Sequence, residues 1–189
     1  MPDPTLPDTD LAAAAALSYL RVLLLDRRWT ALSQVSVRAR DHEFINAANT
    51  LNERMKTAIE RSVDLSGRMV STVENLGHIP PDVSAMLGEQ LEPAGVDVDD
   101  LRSIGKEGHD QLSENREATI AELSRELKSL TTPGRVVDLD LPDAFLCGLA
   151  KCQMSAGLVL AWMPPHLHGA AVLASGVTVY KAVGCSKLR

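Results

Sequence analysis

Five side chains near the C-terminus are of types that ligate metals or act as nucleophiles: Cys147, Cys152, His166, His168 and Cys185. Thiolate and imidazole together make tetrahedral zinc sites, but the spacing here works against one. Four residues separate Cys147 from Cys152, wider than the usual knuckle, and on one helix these thiols point about 140° apart. His166 and His168 belong to a hinge, Met163-Pro164-Pro165-His166-Leu167-His168, whereas Cys147 and Cys185 fall at its far end. Small buried thiols and two turn histidines account for the set, and no metal or other cofactor is expected. Counting along the chain suggests a different bond. If the chain folds back about His166, Cys147 and Cys185 lie nineteen positions to either side and face each other, as do Lys151 and Lys181. A Cys147–Cys185 disulfide is therefore a candidate in an oxidising setting, with Cys152 left free.

Other constellations carry less. Asp97, Asp99 and Asp100 invite a calcium reading, but the loop glycine and closing glutamate of an EF-hand are missing, and acidic charge is favourable at a helix start anyway. His42-Glu43 begins like a zinc-protease helix, yet Asn46 stands where the second histidine belongs. Glu74 and His78, four apart near a helix end, read as a surface pair. No phosphate-binding loop, dinucleotide fingerprint or nucleophile elbow occurs. Nothing supplies a base, an orienting group and an anion hole together, so the sequence leans away from an enzyme.

The elements that would position these residues follow from composition and period. The chain has 189 residues, 45% of them apolar but only 3% aromatic, which suits helices packed through Leu, Val, Ile, Met and Ala. Its net charge of −6 is uneven. Residues 41–132 carry eighteen acidic against nine basic side chains, whereas no Asp or Glu occurs from Ala144 to Arg189. An acidic middle argues against nucleic acid as partner, because phosphate neutralisation needs a basic face. The start lacks the positive n-region of a signal peptide, so the expected location is cytoplasmic, with membrane association through the C-terminal stretch as a variant.

Helix signals recur throughout. Thr9 or Asp10 can cap a helix opening at Leu11, and its apolar residues surround the axis, as in a buried helix or one packed on both sides. Phe44, Ala48, Leu51, Met55, Ile59, Val63, Met69, Val73 and Leu76 form one stripe over about 41–76, which Gly77 and Pro80-Pro81 stop. Short helices are expected from Asp82 to Leu91 and up to Ile104, then a longer one from Ser113 to Leu130 with Ile120, Leu123, Leu127 and Leu130 at coiled-coil spacing. Pro133-Gly134 is the clearest boundary, and Val137, Leu139 and Leu141 alternate with acids as in a short extended segment. Two apolar helices follow, 144–163 and about 168–185, the second opposed by the β-branched Val177, Val179 and Val183.

The expected protein is mainly α: an acidic helical body over 1–132, a linker over 133–143, and a cationic apolar hairpin over 144–189. The leading function is non-enzymatic association with a helical partner or a second copy. A membrane-active protein, a toxin or effector whose hairpin engages lipid, is the alternative, and a Cys/His metal protein comes third. Residues expected at a partner or membrane contact are Leu51, Met55 and Ile59 on the long stripe, with Leu158, Leu160, Trp162, Met163, Val172 and Leu173 on the hairpin. Small residues every four positions, such as Gly148, Cys152 and Ala156, permit close helix approach. Lys151 opposes insertion by about 3 kcal/mol near a helix centre, and the uninterrupted arms, Cys152–Met163 and Leu167–Tyr180, look too short for a full span.

Overall fold

A computed structural model describes residues 8–36, 39–132, 140–164 and 166–187. The described residues form a mainly α-helical bundle of six helices with no strand: α1 (Thr9–Ser33), α2 (His42–Glu74), α3 (Pro81–Leu91), α4 (Leu101–Leu130), α5 (Asp143–Ala161) and α6 (Leu167–Val183). The expected boundary at Pro133-Gly134, the alternation at Val137 and Leu139, and Pro165 of the hinge lie outside the described residues.

Local chemistry sets most of the ends. Asp8, rather than Thr9 or Asp10, caps α1 by accepting the Leu11 N–H at 2.8 Å, and Asp41 caps α2 by accepting that of Phe44 at 2.9 Å. Pro81 opens α3 at a position where its missing N–H costs nothing. Gly184 ends α6 in the left-handed conformation, at φ 74°. Gly77 does not play that part for α2, which ends at Glu74 with Asn75 as its cap; the Trp162 ring instead lies 3.6 Å from where a Gly77 side chain would begin.

One expectation fails instructively. Where the sequence suggests two helices around Gly105 and Gly108, α4 runs unbroken for 30 residues. A side chain at Gly105 would stand 2.6 Å from the Ser155 hydroxyl, and one at Gly108 only 2.8 Å from Lys151 Cβ and 2.9 Å from the Gly148 carbonyl. These glycines weaken the isolated helix by about 1 kcal/mol each, and the close contact with α5 that they permit offsets it. Burial likewise overrides the β-branched residues of α6, which is helical throughout.

The core has two parts that meet on α5. Tyr19 and Trp29 of α1, Met55 and Ile59 of α2, and Leu123 of α4 pack on one side with Phe145 and Leu149. Leu87 and Leu91 of α3, Leu101 of α4 and Leu173 of α6 pack on the other with Met154 and Leu158. Every residue from Cys147 to Val159 is buried. The compositional hairpin thus places its first arm at the centre of the bundle, against α1, α2, α4 and α6. Polar ties fix the register of the outer helices: buried Asn52 donates to the Leu123 carbonyl at 3.0 Å, Ser18 and Ser62 bond at 2.9 Å, and Arg40 donates to the Leu130 carbonyl at 3.0 Å.

Candidate interaction face

Cys147 and Cys185 are bonded, their Cα atoms 5.5 Å apart, so the bridge fastens the start of α5 to the turn after α6. Cys152 is a buried free thiol. Burial pushes it up to about 12, more than the neighbouring Tyr19 and Ser66 hydroxyls and Lys151 can lower it, so it is protonated and unreactive at neutral pH. His166 shares its Nδ1 with the Ala161 carbonyl at the hinge, and His168 is exposed on the groove described below. The five residues therefore do not converge: two are joined to each other, one is sealed in the core, and two sit at the hinge.

Cys152 belongs to a polar thread through the bundle centre. Ser66 Oγ lies 2.8 Å from His109 Nδ1 and donates to the Val63 carbonyl at 2.7 Å. Gly67 leaves room for the ring, since a side chain there would meet His109 Cε1 at 3.0 Å. Tyr19 is pushed up by burial, with Cys152 adding to the rise, and its buried hydroxyl makes no hydrogen bond among the described residues. The Ser66–His109 bond joins α2 to α4.

Lys151 is the buried charge that the sequence left without an explanation. It is 7% exposed, and its ammonium pairs with Glu107 at 3.3 Å. The pair floors a 560 Å³ cleft along α4 whose other carboxylates are Asp100, Asp110 and Glu114. Its ammonium thus has a partner within the fold without reaching a lipid headgroup. With Lys151 included, α5 is nonetheless long and apolar enough to cross a membrane by length and composition, whereas α6 is a shorter apolar helix. A further acidic group ties α1 to the segment before α5: Asp26 accepts the Leu141 N–H at 3.2 Å. Burial pushes Asp26 up to about 6, against the lowering effect of that bond, with Asp140 adding to the rise. Glu126 accepts the Trp29 indole N–H at 2.9 Å and is also raised by burial.

The residues expected at a partner surface divide sharply. Met55, Ile59, Leu158 and Leu173 are fully buried, so in this conformation they hold the core and touch nothing outside it. Leu51, Leu160, Trp162 and Val172 are half-buried, and Met163 is exposed. Leu160, Met163 and Val172 come together with α1 to form an open groove of 490 Å³, floored by Ala13 and Ala16 and flanked by Leu17 and Leu20. Among the described residues, the exposed large hydrophobics are Leu17 (68%), Leu24 (59%), Met163 and Leu167 (75%). Leu17 and Met163 line this groove, Leu167 begins α6 at the same hinge, and Leu24 continues the Leu17 row two turns along α1.

The groove adjoins a basic edge. Leu17 also lines a 250 Å³ cleft between α1 and α2, with Ser18 and Thr57 and with Arg21 and Arg61. Arg28 follows Arg21, and Arg54 precedes Arg61, each by seven residues, which keeps them on the same helix edges. None of these four arginines makes an ion pair with a described residue. Their part in this face was overlooked in the sequence because α1 reads as apolar all round. The signal was the Leu17–Leu24 row shadowed at four residues by Arg21 and Arg28. No family model, curated protein or solved structure matches the chain.

Proposed function

We propose that this protein is a non-enzymatic interaction module that receives a helix in the groove between α1 and the α5–α6 hinge. One observation carries the proposal: two of the exposed large hydrophobics, Leu17 and Met163, line one apolar groove. Scattered surface leucines need no explanation, but a gathered set marks a contact surface. A helix offers the matching shape, because a ridge of side chains fills a groove between two others. The partner is a protein, with nucleic acid disfavoured by the acidic middle of the chain. The cytoplasm is the proposed compartment, where the Cys147 and Cys185 thiols stand reduced until the protein meets oxidant.

A photo-crosslinking residue at Leu17 or Met163 tests this in cells making the protein. Discrete adducts at both positions, and none from exposed Glu60 on α2, are expected. Equal labelling from all three positions would defeat the proposal. A second function rests on the apolar length of α5: release of the hairpin into a bilayer. Flotation of the full chain with liposomes, lost when Cys147 and Cys185 are held bonded, is its expected signature. A chain that never floats, bonded or reduced, removes it.

A further inference from the structure

We infer that the occupant of this groove is an acidic amphipathic helix of a partner protein, with leucines at seven-residue spacing flanked by Glu or Asp. The inference rests on the helix-receiving groove proposed above and adds the chemistry of the partner. Leu17 and Leu24 stand about 10 Å apart along α1, the repeat that a facing helix meets with one leucine per two turns. Arg21 and Arg28 run beside that row, and Arg61 closes the neighbouring cleft from α2. These guanidinium groups have no carboxylate partner among the described residues, in a chain whose net charge is −6. Unpaired arginine beside exposed leucine is complementary to alternating carboxylate and leucine, and arginine binds carboxylate in a two-pronged geometry that lysine lacks.

Two other occupants fit less well. A second copy docking through the same face would bring arginine against arginine, which charge repulsion opposes. A lipid surface is planar, whereas Ala13 and Ala16 lie recessed between Leu17 and Leu20 on one side and Leu160 and Val172 on the other. Asp10 is the single carboxylate on the groove lining and sits at the N-terminal end of α1, away from the arginines. It sets the polarity of docking, with the acidic row of the partner turned toward α2.

Fluorescence anisotropy with three labelled 21-residue model helices tests the inference on the full chain. One carries leucine at heptad positions with glutamate flanks, the second replaces glutamate by lysine, and the third replaces leucine by serine. The Leu/Glu helix alone should bind. Its affinity should fall about tenfold or more in the R21E/R61E variant and again in L17S, and should weaken as salt rises. All three changes are at exposed positions, and circular dichroism checks that the variants stay folded. Equal binding of the Leu/Lys helix overturns the acidic class and leaves the groove standing. Failure of every helix to bind overturns the groove as well. Flotation on phosphatidylserine vesicles that R21E/R61E abolishes, without peptide binding, overturns both in favour of lipid.

Discussion

Around α5 the helices meet at backbone distance, whereas along the outer edge of α1 whole leucines stand in water. At Gly169 an added side chain would lie 2.1 Å from the Ala161 nitrogen, and at Gly157 one would lie 2.6 Å from the Leu173 nitrogen. Two turns of α1, by contrast, carry Leu17 and Leu24 more than half exposed. Both regions are apolar, so hydrophobicity does not separate them. Residue size and charge do. Glycine and alanine let α4 and α6 close on α5, while on the outer face of α1 Leu17 and Leu24 stand beside the exposed Arg21 and Arg28. Close packing thus belongs to the fold, and the uncovered leucines are the surface on which the proposed function rests.

The contrast can be broken most forcefully at the seam. Gly169→Val pushes a branched side chain into the Ala161 backbone, which cannot yield as a flexible side chain would. A loss of about 4 kcal/mol or more is expected, beyond ordinary overpacking. Urea unfolding measures it, and a loss under 1 kcal/mol would show that the two arms are not tightly apposed. Next is the bridge across a sequence separation of 38 residues. Replacing Cys147 and Cys185 by serine should lower the stability of the oxidised protein by about 3 kcal/mol, through the greater freedom of the unfolded chain. Adding dithiothreitol to the native protein should reproduce the shift, and identical melting with and without reductant contradicts it.

Between the two regions sits Asp26, on α1 but turned inward toward Leu141. Its carboxyl is raised to about 6 in the folded protein from an ordinary value of 3.8. The fold therefore binds a proton that the unfolded chain releases. The resulting stability is complete below about pH 4 and is lost as the pH rises through 6. Asp26→Asn keeps an acceptor for the Leu141 N–H and removes the charge. It should flatten the decline between pH 4 and 6 and stabilise the protein at pH 7 by about 1–2 kcal/mol, allowing for partial solvent screening. Parallel pH profiles for both proteins would disprove this origin. The smallest effect belongs to the outer face: Leu17→Ser should change stability by less than about 0.5 kcal/mol. A large loss would mean that Leu17 is core, and the functional contrast would collapse.

How much of this was legible beforehand differs from helix to helix. The α2 stripe is unmistakable because its apolar residues keep one helical phase from Phe44 to Val73 and most of its charges lie off it. Continuity of α4 was hidden, since Gly105 and Gly108 look like breaks until α5 is seen against them. Met55 and Ile59 looked like contact residues for the same reason that they are core: a stripe says that something covers it, not whether the cover is the same chain. The exposed face of α1 was hidden by the opposite effect. In an all-apolar helix such as α1, no periodicity distinguishes the leucines that are covered from those that are not.

Residue types and their spacing alone determined a helical protein, an acid-free apolar pair of C-terminal helices, and a fold-back geometry that sets position 147 opposite 185. These depend on propensity and counting, which are local. Only the tertiary structure decided that α5 is the central helix, that Lys151 pairs with Glu107, and that Leu17 and Met163 line one groove. Those outcomes depend on which faces meet across long sequence separations, and periodicity shows that a face is apolar without showing what lies against it.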